Sequence, residues 1–182
     1  MYEVEVKVRA DHGAVRERLR ERGAESLGAV EQVDTYYGAP HRAFARTDEA
    51  LRIREEVPED GAPVHELTYK GPKVDEASKT RREHETELGD PDAADAALQA
   101  LGFDPVAAVS KARERFRTGG YTVTLDAVDG LGEFVEIERE VPEAEVDAAR
   151  DGALALLRDL GLDPDDGIRT SYLGLLLGDA DE

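Results

Sequence analysis

Charged residues recur at alternate positions through this sequence, and that spacing is what could do chemistry. Glu3, Glu5 and Lys7 alternate with Val4, Val6 and Val8. In a strand, period two sends the three charges to one face and the three valines to the other. Two carboxylates on one face lie roughly 6.5 to 7 Å apart and repel by about 2.5 kcal/mol at an effective dielectric near 20. If that face were enclosed, it would need a cation between them. The pattern returns with both signs. Arg52 and Arg54 alternate with Leu51 and Ile53, and Glu136 and Glu138 with Val135 and Ile137. Lys111, Arg113 and Arg115 share one face, as do Glu83, Glu85 and Glu87, while Lys70 and Asp126 fall at the ends of their expected strands.

Two readings of these faces are open. Charges of opposite sign on neighbouring strands pair readily on a solvated face. Alternatively the faces line an interior. The cations would then clamp phosphate, because guanidinium forks match phosphate oxygens and ammonium groups add point charge. The carboxylates would hold hard divalent cations through oxygen ligands. Agreement along whole strands favours the interior.

The elements that would carry these residues follow from local signals. After the first strand, Asp11 can cap a short helix with Val15 and Leu19 on one side, ended by Gly23. A strand runs through Val30, Val33 and Tyr37. Pro58 to Pro63, with Asp60-Gly61 inside, turns the Leu51–Arg54 strand into a second one over His65–Lys70. Gly71-Pro72 breaks it, a polar loop runs to Ser78, and Thr80–Leu88 forms the next strand. Asp90-Pro91 opens a helix through Leu98 and Leu101 to Gly102. Three strands follow, Lys111–Phe116, Tyr121–Leu125 and Glu133–Glu140, joined at Gly119-Gly120 and Asp129-Gly130. A helix from Pro142 buries Val146, Ala149, Ala153, Leu156, Leu157 and Leu160, and Ser171 caps a last apolar helix through Leu177. About eight strands joined by short turns predict an α+β fold. Its eight-stranded antiparallel sheet closes or nearly closes into a barrel, with helices packed outside. A barrel of that size has room for one small ligand.

Composition narrows the partners. The 182 residues, read as one domain over 1–182, carry a formal net charge of -19 and a sequence pI near 4.6. Such a field repels nucleic acid and anionic membranes, so a phosphate ligand must be held by a local basic cluster or by metal. The acidic, lysine-poor balance is that expected of a high-salt cytoplasm, with a halophilic archaeon as the expected source. There is no cysteine, hence neither disulfide nor thiolate metal site. His12, His41, His65 and His84 lack zinc-ligand spacing. No apolar run approaches a membrane span and the first residues read as a strand rather than a signal peptide, so a cytoplasmic location is expected. Core packing or a homodimer contact are the roles open to Leu173–Leu177. Tyr36 and Tyr37 suit either a core role or stacking on a base.

The ordered motifs resemble the CYTH superfamily, which contains class IV adenylate cyclases, thiamine triphosphatases and inorganic triphosphatases. The resemblance begins at Glu3-x-Glu5-x-Lys7. It continues through Asp34-Thr35-Tyr36-Tyr37, Leu51-Arg52-Ile53-Arg54, Leu67-Thr68-Tyr69-Lys70-Gly71-Pro72 and Lys111-Ala112-Arg113-Glu114-Arg115. It ends with Leu125-Asp126-x-Val128-x-Gly130-Leu131-Gly132-x-Phe134-x-Glu136-Ile137-Glu138. It implies an eight-stranded triphosphate tunnel. It also implies that Glu3, Glu5, Asp126, Glu136 and Glu138 bind Mg2+ or Mn2+. Arg52, Arg54, Lys70, Lys111, Arg113 and Arg115 are implied to bind the triphosphate, with Lys7, Lys111 and Arg113 the catalytic residues. The Leu-Thr-Tyr-Lys-Gly-Pro and Val-Asp-Gly-Leu-Gly segments look most like the cyclase branch, which converts ATP to cyclic AMP and pyrophosphate. The alternatives are a triphosphatase acting on tripolyphosphate, a nucleoside triphosphate or thiamine triphosphate, and a binding protein without turnover. Bacterial cyclases of this class carry a His-Phe pair shortly before Glu-x-Glu-x-Lys. That pair is absent from these residues, so the resemblance does not locate a base site.

The charge balance makes one prediction of its own. Carboxylate self-repulsion should lower the unfolding midpoint in low salt relative to molar salt, read by thermal denaturation across a potassium chloride series. Equal stability and activity at both extremes would remove the salt-adapted reading.

Overall fold

The computed structural model describes residues 1–72 and 81–178. The polar loop expected to run to Ser78, and Thr80, lie outside the described residues. Eight strands form one antiparallel sheet: β1 (Tyr2–Arg9), β2 (Glu25–Tyr37), β3 (Ala50–Pro58), β4 (Val64–Lys70), β5 (Glu83–Glu87), β6 (Pro105–Thr118), β7 (Tyr121–Val128) and β8 (Gly132–Val141). Their order is β1-β8-β7-β6-β2-β3-β4-β5. The sheet curls until its two edges meet at one bridge, where the Glu3 N–H donates to the Arg81 carbonyl at 3.1 Å and the Arg81 N–H to the Glu3 carbonyl at 3.3 Å. β2 and β6, at 13 and 14 residues, are the long central pair. A bulge between Ser26 and Gly28 bends β2 against β6, and Gly28 there has φ 96°, where a side chain would be strained.

β1 is buried on both faces. Val4, Val6 and Val8 are 0%, 7% and 1% exposed, and Glu5 and Lys7 on the other face only 8% and 2%, which removes the solvated reading of that strand. The valine face is covered by α1 (His12–Glu21) and α3 (Val146–Asp159). α1 starts where the Asp11 carboxylate accepts the Ala14 N–H at 3.0 Å, and its Val15 and Leu19 join Val123, Leu125, Val135 and Ile137 in the largest core cluster. From α3 come Ala149, Ala153, Leu156 and Leu157, as its period-3.6 stripe predicts. α2 (Pro91–Ala100), capped by Asp90, lays Ala94 and Leu98 over Tyr37, Leu51 and Ile53.

Three local expectations need correction. The strand expected over Lys111–Phe116 runs from Pro105 to Thr118, because two long neighbours, β2 and β7, supply hydrogen bonds along its length. Asp126 is inside β7 rather than at its end; pairing continues through Val128 opposite Gly132. Pro142 keeps an extended backbone, and one 3-10 turn, Glu143–Glu145, precedes α3.

α4 (Tyr172–Leu177), whose Ser171 cap accepts the Gly174 N–H at 3.0 Å, lies across one end of the barrel. There Tyr172 joins Tyr36, Val109, Val128 and Phe134 on the inner side of the sheet. The rest of the interior is mostly charged, with Gln32, Thr68 and Thr124 among its buried uncharged polar groups.

Gly152 tests the fit of α3 to the sheet. Tyr121 reaches across it to donate its hydroxyl to the Ala149 carbonyl at 3.0 Å, and a Cβ on Gly152 would stand 2.1 Å from that oxygen. Helix propensity alone favours alanine by about 1 kcal/mol. Gly152→Ala is nevertheless expected to destabilise the protein by about 1–3 kcal/mol in denaturant unfolding; an unchanged or raised midpoint would contradict this packing.

Candidate functional site

Period two carries Glu3, Glu5 and Lys7 of β1, Arg52 and Arg54 of β3, Lys70 of β4, Lys111, Arg113 and Arg115 of β6, and Glu136 and Glu138 of β8 into one cavity of about 620 Å3. Among the described residues eight cations and eight carboxylates line it, a local mixture of both signs within a chain of net charge -19. Asp126 lies directly beneath, fully buried. Of the residues that the resemblance implies for metal or phosphate, all but Asp126 line this cavity, and Asp126 is bonded to Arg113, which does; Glu87, on the expected face with Glu83 and Glu85, is exposed instead.

The charges are organised into ion-pair groups. In the first, Asp34 of β2, fully buried, accepts from Arg54 Nε at 2.6 Å and Nη2 at 2.8 Å. Arg52 Nη1 stands at 3.4 Å and Lys111 Nζ at 3.5 Å from the same carboxylate. Burial would raise the Asp34 pKa, but these three cations outweigh it and hold the group well below the usual carboxylate range. Lys111 is pushed down to about 7, by burial first and then by Arg113 and Arg54.

In the second, Arg113 forks onto Asp126 at 2.6 and 2.5 Å and reaches Glu136 Oε2 at 2.7 Å. Lys7 Nζ takes the other Glu136 oxygen at 3.3 Å and is 3.9 Å from Glu5. The third spans the barrel seam, where Lys70 bonds both Glu3, at 3.2 Å, and Glu83. Burial raises the Glu83 pKa to about 8, with Glu3 adding to it, while Lys70 and a hydrogen bond from Glu83 hold Glu3 low against its own burial. At the opposite reach of the cavity Arg115 forks onto Glu56, which also accepts from Gln32 at 2.6 Å. Glu85 also lines the cavity.

Besides Glu56 and Gln32, three participants carry no role in the sequence reading. Asp34 stands within a quoted motif, yet nothing local marks it as the hub for three cations from two other strands. Arg81 closes the seam and grips Asp48, donating to its carbonyl at 2.6 Å. Tyr172 is the third: its ring lies 3.9 Å from Lys7 Nζ and 5.2 Å from Lys111 Nζ, and its hydroxyl donates to Asp126 at 2.9 Å. The only sequence signal for Tyr172 is a hydroxyl-bearing ring at the head of an apolar run. Of the paired tyrosines, Tyr37 turns to α2 and donates to Asp95 at 2.6 Å, whereas Tyr36 joins the inner cluster.

The donor set suits a hard divalent cation. Glu138 is raised to about 7 by burial first and then by Glu3, with Glu136 and Glu5 adding repulsion. A cation among these carboxylates would relieve that repulsion. Among the described residues no three carboxylates or histidines stand as a finished cage; Asp126 and Glu136 are turned toward Arg113 instead.

A curled eight-stranded antiparallel sheet enclosing both signs of charge defines a triphosphate-tunnel type of protein. The CYTH domain model matches residues 1–172, and the chain belongs to that family. It is 38% identical, over 96% of its length and 98% of the relative's, to a candidate adenylate cyclase of Methanocaldococcus jannaschii. It is 30% identical to adenylate cyclase CyaB of Aeromonas hydrophila over 59% of this chain and 51% of that protein. The solved structure of the PH1819 protein of Pyrococcus horikoshii superposes with a TM-score of 0.90 at 43% identity, covering 98% of this chain and 99% of the other. No helix among the described residues is long and apolar enough to cross a membrane.

The raised carboxyls set a pH dependence. A carboxyl that holds its proton more tightly folded than unfolded adds stability at low pH, and the contribution is lost as pH rises from the ordinary value of 4.5 through 7 to 8. In chelator, the denaturation midpoint is expected to fall between pH 5 and 7, below the range where Lys111 titrates. Glu138→Gln should flatten that fall; an identical slope in the variant would mean that Glu138 is an ordinary carboxylate.

Proposed function

We propose that this protein is a class IV type adenylate cyclase, converting ATP to cyclic AMP and pyrophosphate with a divalent metal. The observation that carries the reading is Arg113 held between Asp126 and Glu136 in a cavity whose other cations are likewise held by carboxylates. A metal triphosphate brings both signs at once. Each guanidinium can exchange a carboxylate for a phosphate oxygen, and the released carboxylates would then be available to hold the metal, so that no buried charge is left alone. The names of the Methanocaldococcus and Aeromonas relatives support the same chemistry.

Glu3, Glu5, Asp126, Glu136 and Glu138 would hold Mg2+ or Mn2+, which when bound supplies Lewis-acid neutralisation of the phosphate charge. Arg52, Arg54, Lys70, Lys111, Arg113 and Arg115 bind phosphate oxygens and orient the chain. The ribose 3′-oxygen attacks the α-phosphorus. The bond from that phosphorus to the bridging oxygen breaks, its electron pair leaves with pyrophosphate, and the hydroxyl proton passes to solvent. Lys111, with its pKa near 7, gains a proton as phosphate arrives and returns full charge to the site. Lys7, held by Glu136 and by the Tyr172 ring, stays beside the reacting phosphate, and Arg113 stabilises charge on the departing group.

One observation favours a triphosphatase as the second reading. The cations continue from Lys7 to Arg115 along the cavity, so a terminal phosphate is surrounded as fully as the α-phosphate. Attack by water on that terminus needs the same residues.

Purified protein is incubated with Mg2+ or Mn2+ in high salt, with ATP and in parallel with tripolyphosphate; ATP is expected to give cyclic AMP and pyrophosphate on chromatography, and tripolyphosphate to stay intact. Glu5→Gln and Glu136→Gln should each reduce turnover by about a hundredfold or more with the circular dichroism spectrum unchanged. Orthophosphate without cyclic AMP would replace the cyclase by the triphosphatase, and near-normal turnover in both variants would remove the metal site.

A further inference from the structure

Arg113 bonds both oxygens of Asp126 and the Oε2 of Glu136. When that guanidinium turns to phosphate, the two carboxylates fare differently. Asp126 keeps the Tyr172 hydroxyl at 2.9 Å, and Glu136 keeps Lys7 on Oε1 at 3.3 Å but loses the Arg113 bond on Oε2. A carboxylate that holds a metal through one oxygen is aimed by what its other oxygen accepts. Glu136 therefore needs a donor that is close by and not already committed.

Thr124 of β7 stands beside it. Its register partners are Glu136 of β8 and Arg115 of β6, both of which line the cavity. Residues directly opposite on one face have Cβ atoms roughly 4.5–5.5 Å apart, so the Thr124 hydroxyl starts within reach of the Glu136 carboxylate. Thr124 is 0% exposed, and its Oγ1 has no hydrogen-bond partner among the described residues. Thr68, equally buried, bonds Glu66 at 3.2 Å. Gln32 Oε1 and Arg52 Nε are also buried without a hydrogen bond, but those side chains bond carboxylates through their other nitrogens, whereas Thr124 has only the one oxygen. Valine would fill the same shape without that oxygen, so the hydroxyl costs the empty protein stability.

We infer that Thr124 is a positioning residue for the metal-loaded site: once Arg113 turns to phosphate, the Thr124 hydroxyl donates to Glu136 and keeps that carboxylate aimed at the metal. The inference rests on the exchange of carboxylate for phosphate in the proposed cyclase site. Thr124 does not line the cavity, so it acts through Glu136 rather than on the ligand. Its other neighbour, Arg115, is a donor already forked onto Glu56, which leaves Glu136 as the acceptor. The hydroxyl thus weakens the empty protein and strengthens the loaded one, two effects of opposite sign from one atom.

The test compares the wild type with Thr124→Val and Thr124→Ser in two measurements. In chelator without ligand, Thr124→Val should keep the thermal unfolding midpoint or raise it by up to about 4 °C. Thr124→Ser, which retains the hydroxyl and loses a methyl group, should lower it. In calorimetric titration with α,β-methylene ATP and magnesium the order should reverse, with Thr124→Val binding about tenfold more weakly and Thr124→Ser within about threefold of the wild type. A purely structural threonine would give one order in both measurements. A lowered midpoint in Thr124→Val would mean that the hydroxyl is already bonded in the empty protein. That result, unchanged affinity in Thr124→Val, or a loss in Thr124→Ser as large as in Thr124→Val would overturn the assignment while leaving the clamp standing. Failure of the wild type to bind the analogue, or equal affinity with magnesium and with chelator, would instead bring down the exchange, and the role of Thr124 with it.

Discussion

A closed sheet can carry charge on its inner face only if every buried ion has an opposite one within reach. Transfer of an unpaired carboxylate or guanidinium out of water costs several kcal/mol or more. Here the requirement is met chiefly by pairs between strands: β2 to β3 and β6 at Asp34, β6 to β7 and β8 at Arg113, β4 to β1 across the seam at Lys70. Each pair holds two strands and also fixes the direction of a functional side chain. The same side chains therefore serve both the barrel and the site.

That arrangement has a chemical consequence. Guanidinium groups held by carboxylates are preorganised, so a polyanion meets them already aimed and little reorganisation remains at the moment of binding. The same carboxylates keep the cations from repelling one another until an anion arrives. Burial divides the titrating groups accordingly, with Asp34 held low by its three cations while Glu83 and Glu138, which face other carboxylates, are raised toward neutrality. A chain with a strongly negative average field can in this way present a local basic clamp.

The outer face answers a different demand. The valines and leucines opposite the charges are covered by α1, α2 and α3, whereas α4 turns its tyrosine inward. Ile168 donates its N–H to the Lys7 carbonyl at 2.7 Å and Lys7 Nζ reaches the Thr170 carbonyl at 3.3 Å. The approach to α4 is thus tied to β1 by the backbone of a residue whose side chain lies in the site, which couples this end of the chain to the clamp.

Much of this was determined by the sequence alone. Alternation at period two separates charges from apolar residues whatever the rest of the chain does, so the inner-face residues of β1, β3, β6 and β8 were legible by number. The helix caps at Asp11, Asp90 and Ser171 were legible too, since capping depends on residues only a turn away. The meeting of the two sheet edges, the gathering of three cations around Asp34, the grip of Arg81 on Asp48 and the entry of Tyr172 were decided by tertiary structure. Each joins residues from different strands or from the far end of the chain, and their contact depends on how far the sheet curls and where α4 docks. Local spacing states which way a side chain leaves its strand. Only the closed sheet states what it meets there.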